Sequence, residues 1–586
     1  MGSARRAWYK RNMPFFSLIR PYRNGIALAL VCLFLTNILA LFLPWGIKLI
    51  IDDVLREGNV RLLHGILWCL LGILAARTAL NFLQKYMSSI IGEKIVADLR
   101  RRLFDHVQRL PLVRVQALTP SQLLSRISGD VDSIRRFIFG DALDFIYAVF
   151  GVAGILVLLV LINARLTMIS VMILPFFAVF YFGLLPRLKD RYSRMRDAYG
   201  LLMSRINEVL SGMTTVRAFG AEAYEKVRFD RRQKDIFRIA GGTHALNTGM
   251  WIAVEMFSSL GVLAVLWAGG EAVIGGRMTA GSLVAFYSYL GMLFAPLIRM
   301  AVINSSFQEA SAAIQRINEV LSIGEGLPAT ASVVSRVPVS GAVVFEGVSF
   351  GYVPDRRVIE DVSFCVKPGE TVGIIGASGV GKSTLVGLVL RFFDPDQGRI
   401  LIDGRDLRSL DRNEYCRRVA VVLQDDFLFQ DSVLENIRYA DPGISLAQVR
   451  AAARLCLADE FIEALPQGYD TLVGERGSRL SCGQRQRIAI ARALVRSPAI
   501  LVLDEATSSV DAMTENAIQK AVKASAKDRT VFVVAHRFST IMEADKIVVL
   551  ESGRVNAVGS HEALLSRCSF YRHLYQEQFK GSGECG

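Results

Sequence analysis

The chain holds eight cysteines with no ordered pattern among them. Cys32, Cys69, Cys365, Cys416, Cys456, Cys482, Cys568 and Cys585 make no CxxC pair and no Cys/His spacing, which excludes a zinc module and a disulfide framework. Basic runs interleaved with aromatics are also missing, so the net charge of +14 does not read as nucleic-acid binding. No small-residue cleavage site follows the first long apolar run, so a cleavable signal peptide is not expected.

What is abundant is apolar sequence, and it is unevenly placed. The hydrophobic fraction is 52%, above the usual range of about 45–50%, and the mean hydropathy is +0.36. The excess lies before residue 305, so that part of the chain uses lipid as solvent. Six stretches are long enough to cross a hydrocarbon core of about 30 Å as helices: Gly25–Ile50, Leu62–Leu83, Gly140–Ile162, Leu166–Leu185, Ala245–Ala268 and Gly281–Ile303. Pro44, Pro175 and Pro296 fall within or near their ends, where membrane helices tolerate kinks.

The segments between these stretches alternate in charge. Glu93–Arg136 is long and basic, and Pro186–Arg238 carries thirteen basic residues against seven acidic ones. The positive-inside rule places both in the cytoplasm, whereas Asp52–Arg61, Asn163–Arg165 and Gly269–Ala280 are short, near-neutral and external. Both chain ends then lie in the cytoplasm of a multi-pass inner (plasma) membrane protein, where thiols stay reduced. Ile95–Leu110 and Leu201–Arg228 keep helical apolar spacing among their charges, so the membrane helices are expected to extend inward. Trp8–Tyr22 reads either as an interfacial helix or as an unstructured terminus.

After Ser322 the pattern changes. A Gly/Pro/Ser/Ala-rich linker over 323–340 separates a transmembrane domain (1–322) from a soluble α/β domain (341–580). In the latter, the short β-branched runs Val343–Phe345, Thr371–Ile375, Val419–Leu423, Ile500–Leu503, Thr530–Val534 and Lys546–Leu550 alternate with helix-patterned segments.

Gly376-Ala-Ser378-Gly379-Val380-Gly381-Lys382-Ser383-Thr384 follows an apolar strand and precedes an apolar helix, the context a P-loop requires. Its glycines let backbone N–H groups turn toward phosphate, and the helix N-terminus adds favourable partial charge. Lys382 is placed to reach the β- and γ-phosphates, and Ser383 to ligate Mg²⁺. A second strand ends in Asp504-Glu505. Asp504 suits the Mg²⁺ shell and Glu505 the polarisation of an attacking water.

Leu480-Ser481-Cys482-Gly483-Gln484, with the Arg-rich helix after it, resembles the signature segment of ABC transporters. Further marks of that family occur in order: Tyr352 at the adenine-stacking position, Gln424 at the loop that senses Mg²⁺ and the membrane domain, Thr471–Gly477 before the signature, Ser508–Asp511 as the D-loop and His536 as the switch histidine. The resemblance covers nearly the whole chain and is to exporter-type half-transporters, similar to the bacterial lipid A flippase and P-glycoprotein-like multidrug exporters.

It implies a six-helix all-α transmembrane domain in a domain-swapped dimer, followed by an α/β P-loop nucleotide-binding domain, with ATP and Mg²⁺ as cofactors. Glu505, His536 and Gln424 would be catalytic. The nucleotide would be held by Tyr352, the loop Gly376–Thr384 and Gln424, and from the second identical chain by Ser481, Cys482, Gly483, Gln484 and Asp511. Segments near Leu110–Gln122 and Ala218–Val227 occupy the family's coupling-helix positions. The implied activity is ATP-driven export, or inner-to-outer leaflet flipping, of a lipid-like or hydrophobic amphipathic substrate by alternating access. A peptide exporter and an ATP-gated channel or regulatory protein stay as alternatives.

Two further features stand out. The signature position normally held by glycine is Cys482, either an inert small substitution or a thiol activated at a helix N-terminus. Arg77, Glu255 and Arg299 lie within apolar spans. Intramembrane charges are costly and face a cavity or one another, so these read either as an Arg77–Glu255 ion pair or as substrate contacts.

Overall fold

The computed structural model describes residues 20–172, 174–324, 340–353, 356–424, 427–439, 441–504, 529–534 and 538–580. They belong to two compact units, Met1–His106 with Pro120–Ile323, and Val107–Thr119 with Gly324–Gly586.

A bilayer core needs about 20 helical residues, and the first unit's helices are much longer than that. Its main helices are α1 (Arg23–Leu49), α2 (Val60–Arg109), α4 (Ala142–Val171), α5 (Leu174–Ser211), α7 (Glu222–Ile274) and α8 (Ala280–Leu321). Two short helices, α3 (Leu112–Ala117), which belongs to the second unit, and α6 (Met213–Ala218), sit at the turns of the long basic segments. At 50 residues, α2 is about 75 Å long at 1.5 Å per residue, more than twice the hydrocarbon thickness.

Among the described residues, four helices are long and apolar enough to cross a membrane: Arg20–Glu57, Val60–Arg109, Pro120–Val171 and Glu222–Ile274. That is fewer than the six expected. The expected fourth span contains Ile173, outside the described residues, and the sixth contributes only the shorter apolar stretch Ala280–Leu293 of α8. The expected external loop Asn163–Arg165 is a single sharp break. Asn163 has φ −162° and ψ 104°, and its side-chain oxygen accepts from the Leu166 N–H at 3.1 Å, recapping the chain as a helix.

One apolar core of this unit joins Ile155 and Leu159 of α4, Val265 of α7, and Phe286, Tyr289 and Leu293 of α8. A second packs Val96, Leu99 and Leu103 of α2 against Val131, Ile134, Ala313 and Ile317. Wider, π-type turns interrupt the helices at Ile50–Val54, Arg126–Asp130 and Phe137–Asp141.

In the second unit, β1 (Val343–Phe350), β2 (Ile359–Val366), β4 (Gln397–Ile402) and β5 (Arg405–Asp406) form an antiparallel sheet in the order β2-β1-β4-β5. The second sheet runs β10-β9-β3-β8-β7-β6, from β3 (Thr371–Gly376), β6 (Val419–Val422), β7 (Ile500–Asp504), β8 (Thr530–Val534), β9 (Lys546–Glu551) and β10 (Arg554–Gly559). All its pairs are parallel except β9–β10. β7 and β8 are buried along their whole length, which is why they read as continuous apolar runs. Leu112 and Val113 of α3 pack against this unit's core.

Candidate nucleotide site and transmembrane pockets

The loop after β3 follows from its glycines. Gly379 and Gly381 have φ +76° and +108°, a region L side chains rarely adopt. A Cβ on Gly381 would also stand 2.9 Å from Ile359 Cδ1, and one on Gly376 would stand 2.4 Å from the Leu550 carbonyl oxygen. The backbone therefore turns tightly from β3 into α9 (Lys382–Val389), leaving the first-turn N–H groups open to an anion.

Lys382 is buried, and its ammonium donates to the carbonyls of Gly376 at 2.9 Å and Ala377 at 3.0 Å. The loop thus folds around a cation held at its centre. Ser378 and Val380 belong to the turn, and the Ser383 hydroxyl lies on an exposed residue of the first helical turn. Thr384 is buried, and its Oγ1 lies 3.1 Å from the Tyr352 hydroxyl. That contact, with edge-on packing against Phe350 and Phe393, fixes the Tyr352 ring while leaving it 41% exposed.

The helix end is tied down as well. Arg391, buried after α9, donates to the carbonyls of Leu410 at 2.7 Å and Arg408 at 3.0 Å. Burial pushes the neighbouring Asp394 carboxyl above its ordinary range despite the nearby Arg391 guanidinium.

Asp504 is buried at the C-terminal end of β7, opposite Val534 of β8. Because β8 lies between β3 and β7, Asp504 and the loop after β3 emerge at the same end of one parallel sheet, where open α/β sheets bind ligands. Gln424 follows β6 and is exposed on that end. Glu505, Asp511 and His536 lie outside the described residues, as does 325–339 of the expected linker.

The expected signature segment opens α10 (Cys482–Leu494) with a reciprocal cap. Ser481 Oγ accepts from Gln484 N–H at 3.2 Å, and Gln484 Oε1 accepts from Ser481 N–H at 2.9 Å. Cys482 occupies the first helical position and is exposed, while Gly483 and Gln484 are half-buried. Arg485 donates to the Leu480 carbonyl at 2.8 Å, locking the helix to the loop before it, and Arg487 to the carbonyl of Leu457, in an earlier turn, at 2.7 Å.

In the first unit, Arg77 lines a small pocket of about 170 Å³ with Thr36, Asn81 and Tyr147. Glu255 is exposed, and no ion pair joins it to Arg77 among the described residues. The two therefore do not neutralise each other. The Arg299 side chain lies outside what is described. A separate apolar pocket of about 580 Å³ is lined by Phe34, Phe42 and Trp45 of α1, Phe150 and Val157 of α4, and Tyr289 of α8.

Sequence reasoning missed the polar ties that fix these helices. Asp130 is held by Arg316, and Asp52 accepts from Thr279 and from the Gly281 N–H. Thr279 before an apolar run was a visible N-cap signal for the start of α8, while nothing in the spacing pointed to Asp52.

Residues 26–297 match the family model described as the ABC transporter transmembrane region, and 359–508 the model described as ABC transporter. An ATP-dependent lipid A-core flippase of Syntrophus aciditrophicus (strain SB) is 34% identical over 585 residues, covering 99% of this chain and 96% of that one. The cyclolysin secretion/processing ATP-binding protein CyaB of Bordetella pertussis is 36% identical over 581 residues, covering 98% of this chain and 80% of that one. The structure of a bacterial Atm1-family ABC exporter with ATP bound matches with a TM-score of 0.78 at 29% identity, covering 95% and 98% of the two chains. With matches of this extent to both regions, the chain belongs to the ABC transporter family and joins an exporter-type transmembrane region to an ATP-binding, ATP-hydrolysing domain.

Proposed function

We propose that two copies of this chain form a homodimer that hydrolyses ATP to move a lipid-like, amphipathic substrate from the inner to the outer side of the membrane. The observation that carries the substrate class is the pairing, within one transmembrane unit, of an apolar aromatic-lined pocket with a small polar pocket holding an unneutralised Arg77. An aliphatic tail suits the first and an anionic group the second. Glu255 and Arg299 remain candidate contacts for the same substrate.

The dimer follows from the two halves of the nucleotide site. Each chain would supply a P-loop, with Lys382 at the phosphates and the exposed Tyr352 ring against adenine. Its partner would supply Ser481, Cys482 and Gly483 of the capped, exposed helix start, and Asp511. The residues present fit Mg²⁺: an exposed serine hydroxyl on the first turn of α9 and a buried carboxylate ending β7. Ser383, Asp504 and Gln424 would hold it. When bound, the ion neutralises phosphate charge. Glu505 would orient the attacking water and His536 would contact the γ-phosphate. Closure of two such sites would drive alternating access, transmitted through the segments near Leu110–Gln122 and Ala218–Val227, with the ATP-binding domain and both termini in the cytoplasm.

Reconstitution in vesicles tests this reading through ATP-dependent movement of labelled phospholipids between leaflets. Movement should stop in Glu505→Gln. Exchange that needs ATP but runs in both directions and persists in Glu505→Gln would refute a pump and favour an ATP-gated channel. The likeness to CyaB, which covers most of that protein, favours secretion of a peptide as the second reading. ATPase stimulation by peptides, with none by lipids, would select it.

A further inference from the structure

A third pocket, of about 610 Å³, lies just past the apolar stretch of α2 and within the usual range for ligand sites of about 300–1,000 Å³. Its walls come from α2 (Lys85, Ser88), from the π-type turn Phe137–Asp141 and the residues flanking it, and from α8 (Glu309). π-type turns recur at functional sites because they shift side chains off the regular helical face. Here the turn brings Phe139 and Asp141 to the pocket wall. Gly140 between them leaves a gap: a Cβ there would meet nothing within 4 Å.

The charges on the walls are of both signs, and only some are used. Arg136 pairs with Glu309 at 3.4 Å, and Arg135 lies 3.6 Å from Glu93 and 3.8 Å from Asp132. Arg135 Nε is nevertheless buried with no acceptor. Lys85 and Asp141 have neither an ion pair nor a hydrogen bond among the described residues. A buried guanidinium nitrogen without an acceptor, an exposed ammonium and a half-buried carboxylate thus line one cavity. The buried Arg135 Nε is costly to leave without an acceptor, and the two other charges stand ready for a ligand of both signs.

The geometry points to a binding site for the zwitterionic head group of a phospholipid, with its phosphate toward Lys85 and Arg135 and its primary ammonium toward Asp141. A purely anionic head group would leave Asp141 opposed by like charge. The exposed, stacked rings of Phe82 and Tyr86 lie among and just before the pocket residues of α2 and offer an apolar flank for the chains, which favours a lipid over a soluble zwitterion. This inference rests on reading the first unit as one that handles amphipaths.

Equilibrium binding to the full-length protein, without nucleotide, tests it with lysophosphatidylethanolamine, lysophosphatidylglycerol and free phosphoethanolamine as probes. The first should bind about tenfold more tightly than either of the others. Lys85→Gln and Asp141→Asn should each weaken it by about tenfold, and Gly140→Leu should abolish it by filling the gap without touching a charge. Lys85→Asp combined with Asp141→Lys should restore binding, because a zwitterion can reverse.

Equal affinity for the three probes, or binding unchanged in Gly140→Leu, would overturn the site. So would protection of Lys85→Cys from a membrane-impermeant maleimide in the assembled protein, since a second copy would then cover the pocket. Binding is read without ATP, so its loss alongside intact transport removes this site alone. Intact binding without transport removes the pump.

Discussion

Arg316 grips Asp130 with two parallel bonds, Nε to Oδ2 at 2.9 Å and Nη2 to Oδ1 at 2.5 Å. The pair ties α8 to the π-type turn Arg126–Asp130 beside the core of Val131, Ile134, Ala313 and Ile317. Asp130 is 6% exposed, so its carboxylate depends on this partner. Replacing the arginine strands a buried charge. Arg316→Leu should therefore destabilise the first unit by about 1–3 kcal/mol. Arg316→Lys should recover only part of that, because an ammonium cannot reproduce the two-pronged geometry. Thermal unfolding of the solubilised protein reads both, and an unchanged midpoint in Arg316→Leu would show the pair contributes nothing.

The Lys382 ammonium donates to two carbonyls of its own loop, so it supports the loop as well as offering charge to phosphate. Lys382→Met removes both contributions. ATPase activity should fall by about a hundredfold or more, the scale of losing a preorganised charge at a reacting centre. Binding of a fluorescent ATP analogue should weaken in parallel. The sheet beneath remains packed, so the melting temperature should shift far less than in a core variant such as Val502→Ala, whose residue is fully buried in β7.

Ser481 and Gln484 cap α10 reciprocally, and in the proposed dimer Ser481 would also face the partner's nucleotide. Ser481→Ala loses the cap, at a cost of about 1 kcal/mol. Ser481→Asp keeps a capping oxygen but sets a negative charge where phosphate is expected. Stability should therefore drop in the alanine variant and survive in the aspartate variant, while ATPase activity drops in both. Retained activity in Ser481→Asp would argue against the composite site.

The sequence was legible where chemistry or burial leaves few choices. The glycines at 376, 379 and 381 are required by close approach or positive φ, and β7 and β8 are apolar throughout because both faces are buried. Strands with a polar face were harder to see. β10 alternates between exposed and half-buried residues, and β2 carries Glu360, Asp361 and Ser363 between its buried positions. Neither forms a β-branched run. The transmembrane unit was legible as apolar stretches but not as contacts, since hydropathy says nothing of which charges meet. Arg77 and Glu255 share a membrane region in sequence and do not pair, whereas Asp130 and Arg316 pair across a separation of 186 residues.

Two thiols of the second unit differ sharply in environment. Cys482 is exposed at the start of α10, whereas Cys456 is buried, and its burial pushes the thiol up to about 12. Near pH 8 a maleimide should modify Cys482 within minutes and leave Cys456 intact until the protein unfolds. Cys69, Cys365 and Cys416 are also exposed, so the comparison needs variants in which they are serine. If Cys482 lies against the partner's nucleotide, its modification should block ATPase activity, bound ATP should slow labelling, and Cys482→Gly should remain active. Full activity of the labelled protein would leave Cys482 as an inert substitution.

Gly281, the second residue of α8, is held where no side chain fits. Asp52 Oδ1 accepts from its N–H at 2.8 Å, and Oδ2 accepts from the Thr279 hydroxyl at 2.5 Å. A Cβ on Gly281 would stand 2.6 Å from the Lys48 carbonyl oxygen and 2.7 Å from Asp52 Cγ. The carbonyl belongs to helical backbone and cannot rotate away, so Gly281→Ala must push α8 off the end of α1. That should break both bonds to Asp52 and cost about 1–3 kcal/mol. Asp52→Ala removes the same bonds from the other side while relieving part of the crowding. The two changes should therefore not add: the double variant should be more stable than the sum of the single losses predicts by at least about 0.5 kcal/mol. A melting series on the four proteins measures this, and strict additivity would mean that Asp52 and Gly281 act independently.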